Sequence, residues 1–530
     1  MENEPSALPI LQKKWDSACR ILFGEEVGSL EEFGPWLSDM GERLIHRKST
    51  LSGRQVTYAI TGYDEGSKWV GFDEIDFAKK AEPLPQGTAE IRGAGALVSA
   101  LRERFYYAGS AVLGNSRFVE KSSGITDSFY MYETGKLTEC KCTAYSVLGR
   151  LGEDCFGIEG IGESAQCVKC CETFRDRRCF ELWQSRSCSD CYYSHNLDDC
   201  QECFFCFNAK NLRHAIGNRQ LPKEKYYEVK KRLQKEMAGA LKRERRLPSL
   251  MEIAAKCGAP KRLQLLAEAK EERGDRRIIE DAFSKTCRIL LGKGLPGGID
   301  DYAGWLGRNI RRSETLPSAS SGKPVLRFDY CRYFELPKGR LLAREEAREA
   351  GERLKIGCEE AESITLANAH ERIGEVAFFC PEYRDGMNLN IIECATSGDS
   401  VHCYRSSPIV FSKYAGYCFW PRSSEHTFGC GALLSSDFCI RCFNSVKLSR
   451  CFEADFSRDC SGVYFCHNVE NCHDCLFCFN AKNLKYAVGN VEVGREEYMR
   501  MKGIVQAQIR EGLEKDKKLP WDIYSIGAKR

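Results

Sequence analysis

From Cys394 to Cys478 one position in three is held mostly by Cys, Ser, Ala and Thr, while the two positions between are mostly polar, charged or aromatic. Twelve cysteines lie in this stretch: Cys394, Cys403, Cys418, Cys430, Cys439, Cys442, Cys451, Cys460, Cys466, Cys472, Cys475 and Cys478. All share one phase of three, a coincidence of roughly one in 180,000 for random placement. Ten of the twelve cysteines from Cys140 to Cys206 share a phase in the same way; Cys142 and Cys171 do not. An α-helix repeats about every 3.6 residues and a strand alternates at two. A 3₁₀-helix does not run this long, and a collagen-like chain needs glycine at every third place. The pattern predicts a narrow coil in which each triplet turns one side chain inward.

The length of one turn follows from the columns. Cys167, Cys179, Cys191 and Cys203 are spaced by twelve, as are Cys188 and Cys200, and Ser400, Ser412, Ser424 and Ser436. Steps of three through a single turn give Cys200, Cys203, Cys206 and Ala209, or Cys472, Cys475, Cys478 and Ala481. Four triplets per turn are predicted, with polar turn residues on the same spacing: Asn196 with Asn208, Asn468 with Asn480, and Asp459 with Asn471 and Asn483. Asn and Asp tolerate left-handed turns and stack as amide ladders. About eight turns fit residues 119–218 and eight more 391–490, each column roughly 40 Å tall at about 4.8 Å per rung. The local pattern resembles the twelve-residue coil of insect antifreeze β-helices, without their outward Thr-x-Thr ladder, so ice binding is not implied.

The chain is a duplication. Cys203 to Asn218 reads CFFCFNAKNLRHAIGN, and Cys475 to Asn490 reads CLFCFNAKNLKYAVGN, an offset that holds without a gap from about residue 115 to 255. Weaker similarity joins Cys19-Arg20-Ile21-Leu22 to Cys287-Arg288-Ile289-Leu290. The fold expected is mainly β with α: two tandem β-solenoids of about twelve residues per coil, flanked and capped by helices. The parts are a helical or mixed front (1–114), a first solenoid (115–218), an amphipathic helical cap and linker (219–275), a second front (276–386), a second solenoid (387–490) and a C-terminal cap (491–530). Helices are predicted at Lys14 to Leu22 and Ile278 to Leu291, closed by Gly24 and Gly292. Others carry Val229, Leu233, Met237 and Leu241, or Met501, Val505, Ile509 and Leu513, at steps of four. Helices before and after each column are expected to cover its open ends.

Composition narrows the function classes. A net charge of +3 over 530 residues argues against a dedicated nucleic-acid binder. The basic run from Lys223 to Arg246 is interleaved with Glu and reads as a solvated helix face. The N-terminus carries acids where a signal peptide has bases, and no apolar stretch is long enough for a span. A cytoplasmic protein with mostly reduced thiols is expected.

The thirty cysteines admit three readings. As core filler they act as small buried hydrophobes, which explains their exchange with Ser, Ala, Leu and Val within columns. Stacked pairs could form disulfides, against the expected compartment. Cys188, Cys191, Cys200 and Cys203 form a two-by-two block that could hold zinc. Its counterparts are Cys460, Val463, Cys472 and Cys475, one ligand short. Only His195 among the histidines is repeated, as His467, and its phase points it outward beside a turn. No Walker loop, dinucleotide fingerprint or G-x-S-x-G is present in context. Tyr192, Tyr193, Phe204, Phe205, Tyr464, Phe465 and Phe477 also point outward; either helices of the same chain cover them or they form a partner-binding face.

FNAKNLRHAIGN followed by Leu221-Pro222-Lys223-Glu224-Lys225-Tyr226-Tyr227, and FNAKNLKYAVGN followed by Gly494-Arg495-Glu496-Glu497-Tyr498, resemble a family of cysteine-rich short-repeat proteins of candidate-phylum bacteria and archaea. The resemblance covers roughly residues 115–230 and 387–500 and implies the period-three coil, with no established activity or site residues. Many bacterial relatives carry an N-terminal zinc ribbon; with only Cys19 before Cys140, this chain lacks that module. A non-enzymatic scaffold for a protein partner or self-assembly, without a cofactor, is the leading expectation. The alternatives are a zinc-binding or redox-linked thiolate protein, and an enzyme with a site between the two copies.

Overall fold

The computed structural model describes residues 5–79, 81–85, 87, 91, 93–260, 263, 265 and 274–528. The linker expected near the end of 219–275 lies largely outside these. The chain is mixed α/β and mostly β, with two large, mainly parallel sheets of twelve strands each.

The chain packs as two compact units, and each draws on both copies of the duplication. The first comprises Met1–Leu44, Val112–Glu271 and Ser313–Tyr383; the second comprises Ile45–Ala111, Glu272–Arg312 and Arg384–Arg530. Residues 45–111 pack with the second array and residues 313–383 with the first. The cause lies in buried backbone hydrogen bonds that these segments, here called straps, make to the array they cover.

Within an array the usual unit is a four-residue strand followed by a two-residue corner, as in Ser123–Thr126, Phe129–Tyr132, Gly135–Thr138 and Lys141–Ala144. Strands pair in parallel with the chain twelve residues on. One ladder joins Gly135, Val147, Glu159, Cys171, Trp183, His195 and Phe207. In the second array a ladder joins Val401, Lys413, Glu425, Asp437, Ser449, Ser461, His473 and Lys485. Long-range pairing at this constant spacing also sets the charges. Arg178 with Asp190, Lys210 with Asp198, Arg175 with Glu163 and Arg405 with Glu393 are ion pairs twelve residues apart. A slip of one residue would break them all, so they reinforce the register.

The three-residue period has a backbone origin. Through most of both arrays every third residue has positive φ, among them Lys136, Glu139, Cys142, Tyr145 and Leu148 in the first, and Arg450, Glu453, Phe456 and Asp459 in the second. The left-handed region costs a non-glycine residue roughly 1–2 kcal/mol, and more when the side chain branches at Cβ. None of the non-glycine residues in this conformation is Val, Ile or Thr. The residue that follows each left-handed position turns inward. Every in-phase cysteine is buried there, as the filler reading requires.

The inward groups are also polar, and this explains why Cys and Ser exchange. Ser128 Oγ donates to the Thr126 carbonyl at 2.8 Å and accepts the Cys140 amide at 3.0 Å. Cys140 repeats the pattern one rung on, donating to the Thr138 carbonyl at 3.4 Å and accepting the Gly152 amide at 3.4 Å. Cys206 likewise donates to Phe204 and accepts the Asn218 amide at 3.4 Å. Cys206→Ser is therefore expected to stay within about 1 kcal/mol of the native protein. Cys206→Ala leaves the buried Asn218 amide without an acceptor and is expected to cost about 1–3 kcal/mol, read from urea midpoints at constant slope.

Each array ends by reversal. Arg219–Gln220 pairs antiparallel with Arg213–Ile216, and Val491–Glu492 with Lys485–Val488, which occupies the last strand edge before a long helix begins. The helices Lys223–Glu244 and Arg495–Asp516 bury the predicted stripes Val229, Leu233, Met237, Leu241 and Met501, Val505, Ile509, Leu513. Leu8–Phe23 and Arg276–Leu291 end at Gly24 and Gly292, whose φ values of 82° and 76° suit glycine.

Candidate functional site

The densest buried polar chemistry in the second unit is where its strap meets its array. The strap strand Tyr106–Gly109 lies parallel to Lys68–Gly71 and presents backbone groups to the array. The Ala108 amide donates to His467 Nε2 at 2.9 Å, and Asn480 Nδ2 donates to the Tyr106 carbonyl at 2.7 Å. Because Nε2 is an acceptor, the proton of the neutral ring sits on Nδ1, which donates to Asp455 Oδ2 at 2.9 Å. Tyr63 Oη donates to the same oxygen at 2.5 Å, and Asn444 Nδ2 to Oδ1 at 3.0 Å. Asp455 and His467 are completely buried. Burial also pushes the Tyr63 hydroxyl well above the ordinary phenol range. This clasp resembles a catalytic triad in composition only, since each of its polar side-chain atoms already has a partner within the protein.

The first unit repeats the clasp with one part missing. The Cys380 amide donates to His195 Nε2 at 3.1 Å, and Asn208 Nδ2 donates to the Phe378 carbonyl at 2.8 Å. Trp183 stands where the second array has Asp455, and His195 Nδ1 is buried without a partner. Burial pulls His195 down to about 3, so it is neutral at any ordinary pH. Both histidines were expected at the surface beside a turn. The straps instead cover them completely.

A second buried polar set lies nearby in the second unit. Arg441 and Glu453, twelve residues apart, form a fully buried ion pair, and Arg441 Nη2 reaches Asp522 Oδ2 at 3.1 Å. Arg441 also donates to the Trp305 carbonyl, and Glu453 Oε2 accepts the Ile523 amide at 3.0 Å. The first unit substitutes Lys169, which bonds Asp39 and the Trp36 carbonyl. Burial raises Glu453 to about 7, and it does the same to Glu181, which stands twelve residues after Lys169.

The aromatic face proposed for a partner is not a surface. Tyr192, Tyr193, Phe204, Phe205, Tyr464, Phe465 and Phe477 are all buried. Tyr192 and Phe204 stack at 4.2 Å, with Gln234 of the Lys223–Glu244 helix at 3.4 Å from the Tyr192 hydroxyl. Tyr464 Oη donates to the Leu290 carbonyl at 2.7 Å, and Trp521 packs on Phe465 and Phe477. Outward-facing rows this apolar are matched by the apolar stripes of the helices laid over them.

Cys188, Cys191, Cys200 and Cys203 do come together. Cys188 is hydrogen-bonded to Cys191 and Cys200, and Cys203 to Cys191 and Cys200, a closed ring on two rungs. Each thiol also lies against the carbonyl two residues earlier, at 3.2, 3.3, 3.4 and 3.5 Å in that order. Burial raises Cys140 up to about 12, whereas thiol–thiol hydrogen bonds lower Cys472 to about 4. Among the described residues no group of three or more His, Cys, Asp or Glu side chains is arranged to hold a metal ion. The expected reduced state has one exception: Cys171, out of phase and facing outward, is disulfide-bonded to Cys331 of the strap on the first array.

One sizeable cavity, about 640 Å³, opens in the second unit between strap residues such as Glu74, Phe77 and Arg104 and the end of the array at Asn480, Lys482 and Asn490. In the first unit the Arg344–Arg353 helix packs against the strand Phe207–Lys210 at the equivalent place, and any Cβ on Gly351 would collide with the Asn208 carbonyl. Arg104 is satisfied by the carbonyls of Glu82, Pro83 and Gly489, and Asn490 by the backbone of Phe479. These two wall groups are therefore already paired.

No protein-family profile, curated protein or solved structure matches the chain. Asp455, Tyr63, Arg441 and Glu453 were not singled out from sequence. Two of the pairings were open to it, because Asp455 with His467 and Arg441 with Glu453 are complementary residues twelve apart; Tyr63 comes from the distant strap and leaves no local trace.

Proposed function

We propose that the chain is a non-enzymatic scaffold. In this reading each array is a β-solenoid of twelve residues per coil, filled by Cys, Ser and Ala, with its outer rows presented to a protein partner or larger assembly. The observation that carries it is the commitment of the reactive side chains. His195 and His467 each spend Nε2 on a strap amide, and the in-phase thiols face the interior and bond carbonyls. Apolar exposure gives the partner a place. Met387, Leu389 and Phe411 are 86%, 61% and 50% exposed at the start of the second array, where the first has Asn115, Arg117 and Glu139. Met387 and Phe411 stand two rungs apart in one row, and the edge strand Leu389–Ile392 pairs on one side only. Native mass spectrometry of the protein isolated from its source should find it in a complex that M387E/F411E disrupts. A lone monomer, or a complex indifferent to that variant, would overturn this reading.

A second reading, a zinc-binding or redox-linked thiolate protein, draws on the ring of Cys188, Cys191, Cys200 and Cys203. Hydrogen bonds from Cys188 and Cys203 hold Cys200 below the ordinary thiol range, which is the direction metal or oxidant chemistry uses. Filler thiols should resist a thiol reagent in the native state and carry no metal. Zinc near one equivalent surviving gel filtration would favour the second reading.

A further inference from the structure

We infer that the two copies of the duplicated domain hold each other by reciprocal exchange of their straps, so that the partner each array fits is the strap of another copy of the same domain. This goes beyond the scaffold reading and does not depend on it. The composition of the units is the first ground: residues 45–111 leave the first copy to complete the second array, and residues 313–383 leave the second copy to complete the first. The crossing is abrupt. The strand Tyr106–Gly109 lies in the second unit, and Val112–Leu113, three residues further on, begins the first array.

The second ground is that the exchange is symmetric in its chemistry. Ala108 and Cys380 are counterparts, as are Tyr106 and Phe378, and they meet His467 with Asn480 and His195 with Asn208. In both units a histidine takes the strap amide and an asparagine gives to the strap carbonyl two residues earlier. These are backbone contacts, so the docking position does not depend on whether the strap carries Ala or Cys, Tyr or Phe. Stacking Asn468 on Asn480 and Asn196 on Asn208, both at 2.9 Å, orients the asparagine amides for that role. The repeated FNAK segments thus read as the strap-recognition end of each array.

Pairing of the right strap with each array is set by contacts that are not repeated. The first array offers Glu159 to the Cys331 amide at 3.1 Å, Glu172 to the Tyr333 hydroxyl at 2.8 Å, and Cys171 to Cys331. The second offers Asp455 to Tyr63, and Gln508 of the Arg495–Asp516 helix to the Ala94 amide at 2.6 Å. A strap on the wrong array would bring the Tyr63 hydroxyl to Trp183, which stands in place of its Asp455 acceptor.

The test cuts the folded full-length chain at a protease site inserted after Gly258, under thiol reductant so that Cys171–Cys331 does not link the pieces. The halves are expected to remain a one-to-one pair by native mass spectrometry. Cut protein mixed with an isotope-labelled batch should form hybrid pairs only after unfolding and refolding, because exchange requires a strap to leave its array. N208A/N480A should lower the urea concentration at which hybrids first form, while the uncut variant stays folded in native buffer. Halves that part in native buffer, trade partners without unfolding, or lose their strand signal on cleavage would each overturn the inference, as would a double variant that needs as much urea to exchange. None of these outcomes concerns an external partner, so failure here is separable from failure of the scaffold reading.

Discussion

Asp455→Ala is expected to destabilise the second unit by about 3–5 kcal/mol, the range for breaking a buried network by removing its central acceptor. The carboxylate takes hydrogen bonds from Tyr63, His467 and Asn444 in a site closed to water. Removing it orphans three donors, each worth about 1–3 kcal/mol if left unpaired, with losses that do not simply add. The histidine cannot escape by changing tautomer, because Nε2 must keep accepting the Ala108 amide. Asp455→Asn should be milder, about 1–2 kcal/mol. Its oxygen can serve Tyr63 and His467, and a rotated Asn444 amide can accept from its nitrogen. Hydrogen exchange supplies a local readout with an internal control. The Ala108 amide should lose protection in Asp455→Ala while the Cys380 amide, bonded to His195 in the first unit, keeps it. Equal loss at both amides, or none at Ala108, would show that the carboxylate does not hold the clasp.

The contrast between the two clasps shows how far the sequence could be read. The period of three, the pairing distance of twelve and the duplication were visible in Cys167, Cys179, Cys191 and Cys203 and in the repeated FNAK segments, since these rows face a space that admits only small groups. The four long helices were legible from their stripes. What local pattern cannot supply is which of two similar arrays a strap lies on, because Ala108 and Cys380 belong to segments of the same ancestry. The same limit misplaced His195 and His467, and left Tyr192 and Phe204 open between a covered row and a partner face. Phase set them apart from the cysteine rows, but a side chain outside those rows can still be covered by a strap or helix from elsewhere in the chain. The left-handed backbone at every third residue left a weaker trace, the exclusion of Val, Ile and Thr from that phase. Glycine and asparagine did not reveal it, because Tyr145, Leu148 and Phe456 adopt it too, held by the ladder on either side.

Arg441→Met is the second large expected effect, about 3–5 kcal/mol at pH 8. The guanidinium is the cation for Glu453 and Asp522, and it also bonds the Trp305 carbonyl. Methionine fills a similar volume but leaves two buried carboxyl groups facing each other. The pH dependence identifies the cause. Burial is the main influence that raises Glu453 to about 7, against about 4.5 when unfolded, and Arg441 opposes it. Between these values the folded state binds the proton and the unfolded state does not. Stability contributed by this group is therefore full below about pH 4.5 and declines as pH rises through 7. Without Arg441 the folded carboxyl holds its proton to still higher pH, so the decline continues past 8 and the variant's deficit widens with alkalinity. At pH 5, where Glu453 is protonated in either protein, the deficit should shrink toward the lost hydrogen bonds to Trp305 and Asp522. Adding Glu453→Leu should recover much of the loss at pH 8, because replacing both partners by apolar groups leaves a single carboxylate rather than a repelling pair. Urea unfolding at pH 5 and 8 for the native protein and the two variants measures this directly. A deficit that is the same at both values would mean the arginine acts through packing on Trp305 and Phe443 rather than through its charge.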